Sequence, residues 1–253
     1  MKSPRRAFLA TVTSLGAGAL AGAAAGALAG PPRNWGRGAA NGSPAAASGS
    51  EPARAATDEP NSPPEYMMLD HAVLERLLSI YEECVRRLRS NEGVSATVLQ
   101  KTATMIRNFG EDYHEKREEE FIFPHFAPRA DYAPLLKTLQ SQHDAGRTLT
   151  DRILAGSSDE KFPLPESRQA LIDGCTAYVR MARPHMAREA TDLFPDLYET
   201  LAEKAIDELS ARLLKLEQQV FGKDGYERMI EHIAVIEQQL GIHDLDRVTP
   251  KGA

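Results

Sequence analysis

After residue 64, apolar positions recur every three or four residues along most of the chain, which is the period of an amphipathic helix. Asn91 to Gly93 interrupts the first such stretch, and Pro124 and Pro195 are expected to end the second and the fourth, because proline cannot continue an α-helix. The pattern predicts an all-α fold with four long helices, at residues 65–90, 95–123, 132–155 and 166–194.

Apolar residues continue at helical spacing beyond the fourth helix to about residue 241, with a break near Gly222 to Gly225. This extension, with its polar tail, occupies residues 199–253. One face is expected to pack on the four helices or, as the less favoured alternative, to mediate self-association with a partner chain. That face carries Leu197, Leu201, Ile206, Leu209, Leu213, Leu216 and Val220.

The second and fourth helices contain two copies of one pattern, HxxxExxx[IL]FP. The first copy places Glu118 four residues after His114, and the second places Glu189 four residues after His185. A single histidine precedes each copy by almost the same number of residues, namely His71 before the first and His143 before the second. An internal repeat of this kind indicates related positions in the fold.

The four histidines are expected to lie in one layer. Residues equidistant from the turn of an antiparallel hairpin lie at the same height, and the midpoints between successive histidines fall at residues 92–93, 128–129 and 164, all in predicted loops. The prediction is therefore an up-and-down antiparallel four-helix bundle at residues 65–198, with one histidine per helix at a common level. Spacing of i and i+4 places each glutamate beside a histidine.

A buried layer of four imidazoles and two carboxylates is costly without a compensating charge, and metal ions supply one. Mixed nitrogen and oxygen donors without thiolate suit iron, manganese or zinc. Six ligands exceed the needs of one tetrahedral zinc and suit two bridged ions. A bundle whose histidines and glutamates only pair with one another is disfavoured by the cost of burying charge.

The blocks HEKREEEFIFP at residues 114–124, QHDAGR at residues 142–147 and HMAREATDLFP at residues 185–195 resemble those of hemerythrin-like, or HHE cation-binding, proteins. The resemblance implies a hemerythrin-like bundle with two iron ions. It makes His71, His114, His143 and His185 terminal ligands, and Glu118 and Glu189 bridging ligands beside an oxo or hydroxo group. Zinc and manganese remain alternatives to iron.

The chain departs from the five-histidine set of the oxygen-carrying hemerythrins. Arg147 stands where those proteins have a further histidine, and the carboxylate of the fourth helix is Glu189 at i+4. This departure puts simple oxygen storage in doubt. Glu115 is the nearest spare carboxylate and a candidate additional ligand, while Tyr113, Asp144 and Arg147 are candidates for orienting the ligands.

The remaining histidines do not belong to the repeated HxxxE pattern. His125, His232 and His243 have no carboxylate at the matching offset and are interpreted as structural or solvated. A ferritin-like site needs two ExxH motifs. Only Glu111 with His114 provides one, because Ala182 stands three residues before His185.

The N-terminus predicts export. Arg5 and Arg6 precede Phe8, Leu9 and an Ala/Gly-rich stretch, which resembles a twin-arginine signal at residues 1–29 with cleavage before Gly30. The mature protein would be periplasmic or otherwise outside the cytoplasm, whereas an uncleaved segment would anchor it in a membrane. Residues 30–64, rich in Ala, Gly, Pro and Ser, are predicted to be a disordered linker.

The net charge argues against one class of partner, and the two cysteines add no candidate metal ligand. A formal charge of −6 without a clustered basic face argues against a nucleic-acid partner. Cys84 and Cys175 could pair in an oxidising compartment, but neither has metal-ligand spacing, and both are interpreted as packing residues.

Two functions remain. The first is an exported di-iron protein that binds or senses oxygen, a related small oxidant such as peroxide, or iron or redox state. The alternative is a di-iron oxidoreductase that reduces peroxide, nitric oxide or oxygen with electrons from a donor. The sequence nominates no catalytic residue beyond the metal set.

Overall fold

The structure, a computed structural model, describes residues 62–222 and 225–252, and these residues form helices and no strands. The all-α prediction is confirmed for this part of the chain. The predicted signal and most of the predicted linker, residues 1–61, lie outside the described residues. The elements are α1 (Pro63–Arg89), α2 (Ala96–Met105), π1 (Ile106–Glu115), π2 (Glu118–Ile122), α3 (Phe123–Phe126), α4 (Ala133–Gly156), α5 (Pro165–Arg188), π3 (Glu189–Leu193), α6 (Phe194–Thr200), α7 (Glu203–Phe221), α8 (Gly225–Leu240) and α9 (Leu245–Val248).

Helix α1 begins two residues before the predicted start at Glu65. Pro63 and Pro64 stand in its first turn, where a missing N–H costs nothing. The carboxylate of Glu65 accepts a hydrogen bond from the backbone N–H of Ser62 at 3.1 Å, which satisfies a donor that the helix leaves unpaired. Beyond the other end of α1, Asn91 adopts a left-handed conformation with φ of 55°, which asparagine tolerates and which turns the chain toward α2.

The second and fourth helices run past the prolines that were expected to end them. Helical structure continues without a gap from Ala96 to Phe126 and from Pro165 to Thr200. The predicted ends at Pro124 and Pro195 are therefore wrong.

The reason is a change of helix type directly before each proline. In π2 the backbone N–H of Phe123 donates to the carbonyl of Glu118, five residues back, and π3 repeats this bond between Phe194 and Glu189. The following proline then lies in the first turn of a new α-helical segment, where its missing N–H is tolerated. Single turns of π-helix are rare and often mark functional positions.

Two clusters of buried apolar side chains hold the helices together. The larger cluster takes its residues mainly from α1, π1, α5 and α8, and includes Tyr81, Phe109 and Ile233. The smaller cluster joins π2, α3, α6 and α7 through residues such as Phe126 and Leu213. Helix α5 packs against both α1 and α4, and α4 also packs against α2 and π1. The helices of the described residues thus pack around a buried apolar interior.

The two cysteines belong to this interior. Cys84 and Cys175 are both free and fully buried, one in α1 and the other in α5. Burial raises the pKa of the Cys84 thiol to about 12, and it also raises the pKa of the Cys175 thiol. Because the thiolate is the reactive form, the structure supports the interpretation of both residues as packing groups.

The C-terminal extension covers α1. Helices α7 and α8 both pack on α1, with Leu209 and Leu213 buried in the smaller cluster and Ile233 in the larger one. The expected packing face is confirmed, although Val220, predicted to belong to it, is 56% exposed. Arg76 of α1 donates two hydrogen bonds to Glu237 of α8, at 2.8 and 2.6 Å. Every helix in the described residues is too short or too polar to span a lipid bilayer.

Replacing Glu237 with glutamine is expected to lower the free energy of unfolding by about 1–3 kcal/mol at pH 7, because a charge-assisted contact is lost. Burial by itself raises the pKa of Glu237, but Arg76 and His243 outweigh burial and hold that pKa below 4.5. The carboxylate therefore stabilises the fold above its unfolded-state pKa, and this contribution is lost as the pH falls through the lower folded-state value.

Urea unfolding at pH 7 and at acidic pH measures this difference. Glu231→Gln, an exposed glutamate on the same helix, is the matched control and should change little. A stability gap between wild type and Glu237→Gln that stays constant as the pH falls would show that the carboxylate charge is not what matters.

Candidate metal centre

The six residues predicted as ligands meet in the interior between the helices. Each of six elements contributes one of them: His71 from α1, His114 from π1, Glu118 from π2, His143 from α4, His185 from α5 and Glu189 from π3. Both glutamates are fully buried and the histidines nearly so. Their side-chain atoms form two overlapping groups able to hold a cation, and both groups contain the two glutamates.

Glu118 lies between two pairs of histidines. Its Oε1 is 3.3 Å from Nε2 of His114 and 3.9 Å from Nε2 of His71. Its Oε2 points the other way and lies 3.4 Å from Nε2 of His143. One carboxylate therefore faces both pairs, which is the arrangement of a bridging ligand.

Glu189 spans the same two pairs from another helix. Its Oε2 is 3.4 Å from Nε2 of His71, and its Oε1 is 3.1 Å from Nε2 of His185. The ring centroids within a pair are 4.8 Å apart for His71 and His114, and 4.9 Å apart for His143 and His185. The result is two adjacent positions, each facing two imidazoles and two shared carboxylates.

The atoms that face these positions have unmet bonding capacity. In the described part of the chain, both oxygens of Glu118, both oxygens of Glu189, and Nε2 of His71 and of His114 are buried without a hydrogen-bond partner. Buried polar atoms are normally hydrogen-bonded, and buried carboxylates are costly without a compensating charge. Nitrogen and oxygen donors in this number fit two divalent cations, which would supply the missing partner.

Burial and charge set the pKa values in this layer. Burial alone raises the pKa of Glu118, but His114 and His143 outweigh it and hold the pKa well below 4.5. Burial alone lowers the pKa of His143, but Glu118 and Glu119 outweigh it and raise the pKa to about 10. For His71 burial prevails, and the pKa falls below 6.5. The carboxylates thus favour positive charge beside them, and a metal ion competes with protons for these imidazoles.

The far nitrogen of three histidines is fixed by a polar side chain. Nδ1 of His114 lies 3.1 Å from Asp70, and Nδ1 of His143 lies 3.0 Å from Glu119. Nδ1 of His185 lies 2.9 Å from the amide oxygen of Gln142. These contacts assign the proton to Nδ1 and aim Nε2 into the layer, as around histidines that bind metals.

Two arginines complete the carboxylate contacts. Arg117 donates to Asp70, and Arg147 donates to Glu119 at 2.6 Å. The layer thus contains two chains of arginine, carboxylate and histidine, one beside each pair of histidines. Such a chain keeps the carboxylate ionised and the imidazole oriented.

The sequence indicates Arg147 among these orienting residues but does not indicate Asp70, Arg117, Glu119 or Gln142. Three of these residues stand next to a predicted ligand in the sequence, which is the signal that could have indicated them. Asp70 precedes His71, Gln142 precedes His143 and Glu119 follows Glu118. Each of these three residues contacts a histidine on another helix, and not the predicted ligand that stands next to it in the sequence. Of the other two candidates, Tyr113 is buried under the guanidinium of Arg117, and Asp144 is a largely exposed partner of Arg147.

Glu115, the candidate additional ligand, faces Arg147 rather than the centre of the layer. Its Oε2 lies 3.0 Å from a guanidinium nitrogen of Arg147, and it groups with Glu119 and His143, not with Glu118. Burial raises the pKa of Glu115 to about 8. Arg147 supplies the positive charge at the place where this carboxylate would otherwise meet a cation.

The remaining candidates lie outside the layer. His125, His232 and His243 belong to neither cation group, and His243 lies 3.0 Å from Glu237 near the C-terminus. Glu111, half of the single ExxH motif, accepts a hydrogen bond from Thr150 and pairs with Arg107.

Replacing Asp70 with asparagine is expected to weaken metal binding roughly 10–100-fold while the helices stay folded. Asparagine keeps the size of the side chain but removes the charge that orients His114 and pairs with Arg117. Metal titration of the stripped protein, with circular dichroism to verify the fold, measures the effect. Asp173→Asn, an exposed change on α5, is the control; equal affinity in the two variants would remove Asp70 from the site.

The chain matches a known protein family and is similar to proteins from two mycobacteria. The family model described as the hemerythrin HHE cation binding domain matches residues 62–197, the stretch that carries all six residues. The proteins similar to this chain include the uncharacterized protein Mb2018 of Mycobacterium bovis and the uncharacterized protein Rv1995 of Mycobacterium tuberculosis. Each is 36% identical over 191 residues, covering 76% of this chain and 75% of the relative. No solved structure matches the chain significantly.

Proposed function

This chain belongs to the hemerythrin HHE cation-binding family, and from that premise we propose that it is an exported protein that holds two iron ions and binds or senses oxygen, a related small oxidant, or iron or redox state. The observation that carries the proposal is the pair of glutamates facing both histidine pairs, with all four carboxylate oxygens buried and without hydrogen-bond partners among the described residues.

The proposed architecture is an up-and-down antiparallel bundle of four helical stretches. In chain order these are α1, the run from α2 to α3, α4, and the run from α5 to α6. The packing of α5 on α1 and α4, and of α4 on α2 and π1, supports this order. The convergence of one histidine from each stretch supports it as well.

Each residue of the layer has a distinct role in the proposal. His71 and His114 would hold one ion, His143 and His185 the other, and Glu118 and Glu189 would bridge the two. Bound iron would supply a change of oxidation state and open coordination positions for a small ligand. The protein positions the imidazoles through Asp70, Glu119 and Gln142, and buries the layer away from bulk water.

Iron is preferred over zinc and manganese because of the family and the donor set. Two histidine nitrogens and two carboxylate oxygens at each position suit all three metals, but carboxylate-bridged pairs in helical bundles are typical of iron and manganese. The buried cysteines offer no thiolate to the layer, since burial raises the pKa of both thiols.

Elemental analysis tests the proposal directly, on protein purified without added metal and produced both with its N-terminal segment and from Gly30 onward. The expected result is close to two irons per chain, with an absorption spectrum that changes on addition of oxygen or peroxide. Zinc alone, or well-folded protein that neither contains nor takes up metal, would overturn it.

The alternative is a di-iron oxidoreductase that reduces peroxide, nitric oxide or oxygen. The observation in its favour is Arg147, which is held by Glu115 and Glu119 and so offers no fifth ligand beside His143. A metal ion beside His143 would then keep an open coordination position for a substrate. Sustained consumption of peroxide with an electron donor would establish turnover, whereas a single stoichiometric reaction would favour binding or sensing.

The proposal also includes export of the protein from the cytoplasm. The twin-arginine-type signal at residues 1–29 would carry the folded protein out of the cytoplasm, with the linker predicted after it as a tether. Fractionation of cells that express the full chain and a variant with Arg5 and Arg6 replaced by lysine tests this. Export of wild type but not of the variant is the expected result, and equal export of both would remove the twin-arginine assignment.

A further inference from the structure

A cleft of about 660 Å³ lies between α1 and α5, outside the set of residues described for the metal centre. Its size falls within the range of pockets that hold small organic molecules, about 300–1,000 Å³. The walls come from both helices, so the cleft follows the seam along which α1 and α5 pack.

Contacts between the two helices bound the cleft at both ends. At one end Arg183 of α5 donates two hydrogen bonds to Glu82 of α1, each at 2.7 Å. At the other end Arg89 of α1 lies 3.4 Å from the hydroxyl of Thr176 on α5. Glu82 and Arg89 are two turns apart, so the space between the two contacts is about 10 Å long, from the helical rise per residue.

The floor of the cleft is apolar. Val85 of α1 and Val179 of α5 line it and are 7% and 8% exposed, and the fully buried Cys175 lies between the helices beside them. A ligand that fills the cleft would therefore remove apolar surface from water along its length, which is favourable in proportion to the area buried.

The rim of the cleft is basic. Four arginines line it against a single glutamate. Arg86 and Arg183 already have carboxylate partners, namely Glu83 and Glu92 for the first and Glu75 and Glu82 for the second.

The other two arginines of the rim have no carboxylate partner among the described residues. Among the described residues, the Thr176 hydroxyl is the one hydrogen-bond partner of Arg89, which has no ion pair, and Arg180 has neither a hydrogen bond nor an ion pair. A guanidinium group presents paired donors that match a carboxylate. Two such groups above an apolar floor favour a ligand with one anionic group and an apolar body.

We propose that the cleft between α1 and α5 binds a small soluble amphipathic anion, a carboxylic acid whose apolar body is about 10 Å long. The carboxylate lies between Arg89 and Arg180, and the apolar body lies over Val85, Val179 and Cys175. A polymer or a bilayer surface fits less well, because inter-helix contacts close the cleft at both ends within two helical turns.

Calorimetric titration of the full, metal-loaded chain with octanoate tests the proposal, with octanol and octylammonium as probes that keep the chain but change the head group. We expect saturable one-to-one binding of octanoate and at least tenfold weaker binding of the other two. Arg89→Gln combined with Arg180→Gln should weaken octanoate binding at least tenfold. Arg152→Gln, an exposed arginine on α4, should leave it unchanged.

A second variant keeps the test independent of charge. Thr176 is exposed on α5, so Thr176→Trp should fill the cleft without disturbing the core and should abolish octanoate binding. Metal content and the helical circular dichroism signal should stay at wild-type values in all these variants, which separates this site from the metal centre. Equal affinity for octanol and octanoate, binding that neither variant weakens, or binding only to phosphatidylglycerol vesicles would each overturn the proposal.

Discussion

Alanine at both His114 and His185 is expected to abolish metal binding and to lower the melting temperature by roughly 8–16 °C. Each pair of histidines loses one of its two imidazoles, and Glu118 and Glu189 each lose a close partner. A metal present at about 1,000 times its dissociation constant stabilises the folded state by about 4 kcal/mol. For a domain of this size, 1 kcal/mol corresponds to roughly 2–4 °C. Elemental analysis and thermal unfolding, with and without added iron, measure both effects.

His232→Ala is the matched control for this double variant. His232 lies on α8, is exposed, and belongs to neither group of residues able to hold a cation. It should retain full metal content and the wild-type melting temperature. Two irons per chain in the double variant would show that the metal is held elsewhere, and the assignment of the six residues would be wrong.

The sequence sufficed to predict the layer because the covalent spacing of the repeat records its geometry. His114 with Glu118 and His185 with Glu189 recur at one offset, and the midpoints between histidines fall in loops. Four histidines placed at one level in this way must meet if the helices pack. The structure brings them together with Glu118 and Glu189, although His71 and His143 have no local motif of their own.

The supporting residues could not be predicted in the same way. Asp70 orients His114, which lies 44 positions away in sequence, and Glu119 orients His143 from another helix. Nothing in a local pattern distinguishes these carboxylates from the many solvated acids of the chain. Only the packing of helices against one another decides which acid reaches which imidazole.

The ends of the second and fourth helices differ from the sequence prediction because of packing around the same layer. A proline ends a regular α-helix because it lacks a donor and clashes with the preceding turn. At Pro124 and Pro195 the preceding turn is wider, with hydrogen bonds that span five residues. That widening begins at Glu118 and at Glu189, the two residues that face both histidine pairs. The departure from regular helix and the placement of the carboxylates are thus features of the same segments.

Glutamine at Glu118 is expected to remove both metal ions, whereas alanine at His71 should mainly weaken one. The two oxygens of Glu118 face opposite histidine pairs, so the loss of its charge and of one oxygen donor affects both cation positions at once. We expect affinity for the pair of ions to fall on the order of 100-fold or more, beyond the effect of an orienting residue. Titration with ferrous iron, followed by the number of ions bound per chain, distinguishes the two variants.

The stoichiometry makes this comparison a test of bridging rather than of binding alone. If Glu118 bridges, the Glu118→Gln variant should pass from two ions to none without a stable intermediate, and His71→Ala should retain close to one ion at moderate iron concentration. Glu120→Gln, two residues away on the same π turn and outside both cation groups, controls for the loss of charge. One tightly held ion in Glu118→Gln would mean that each carboxylate serves a single position and that the two sites are independent.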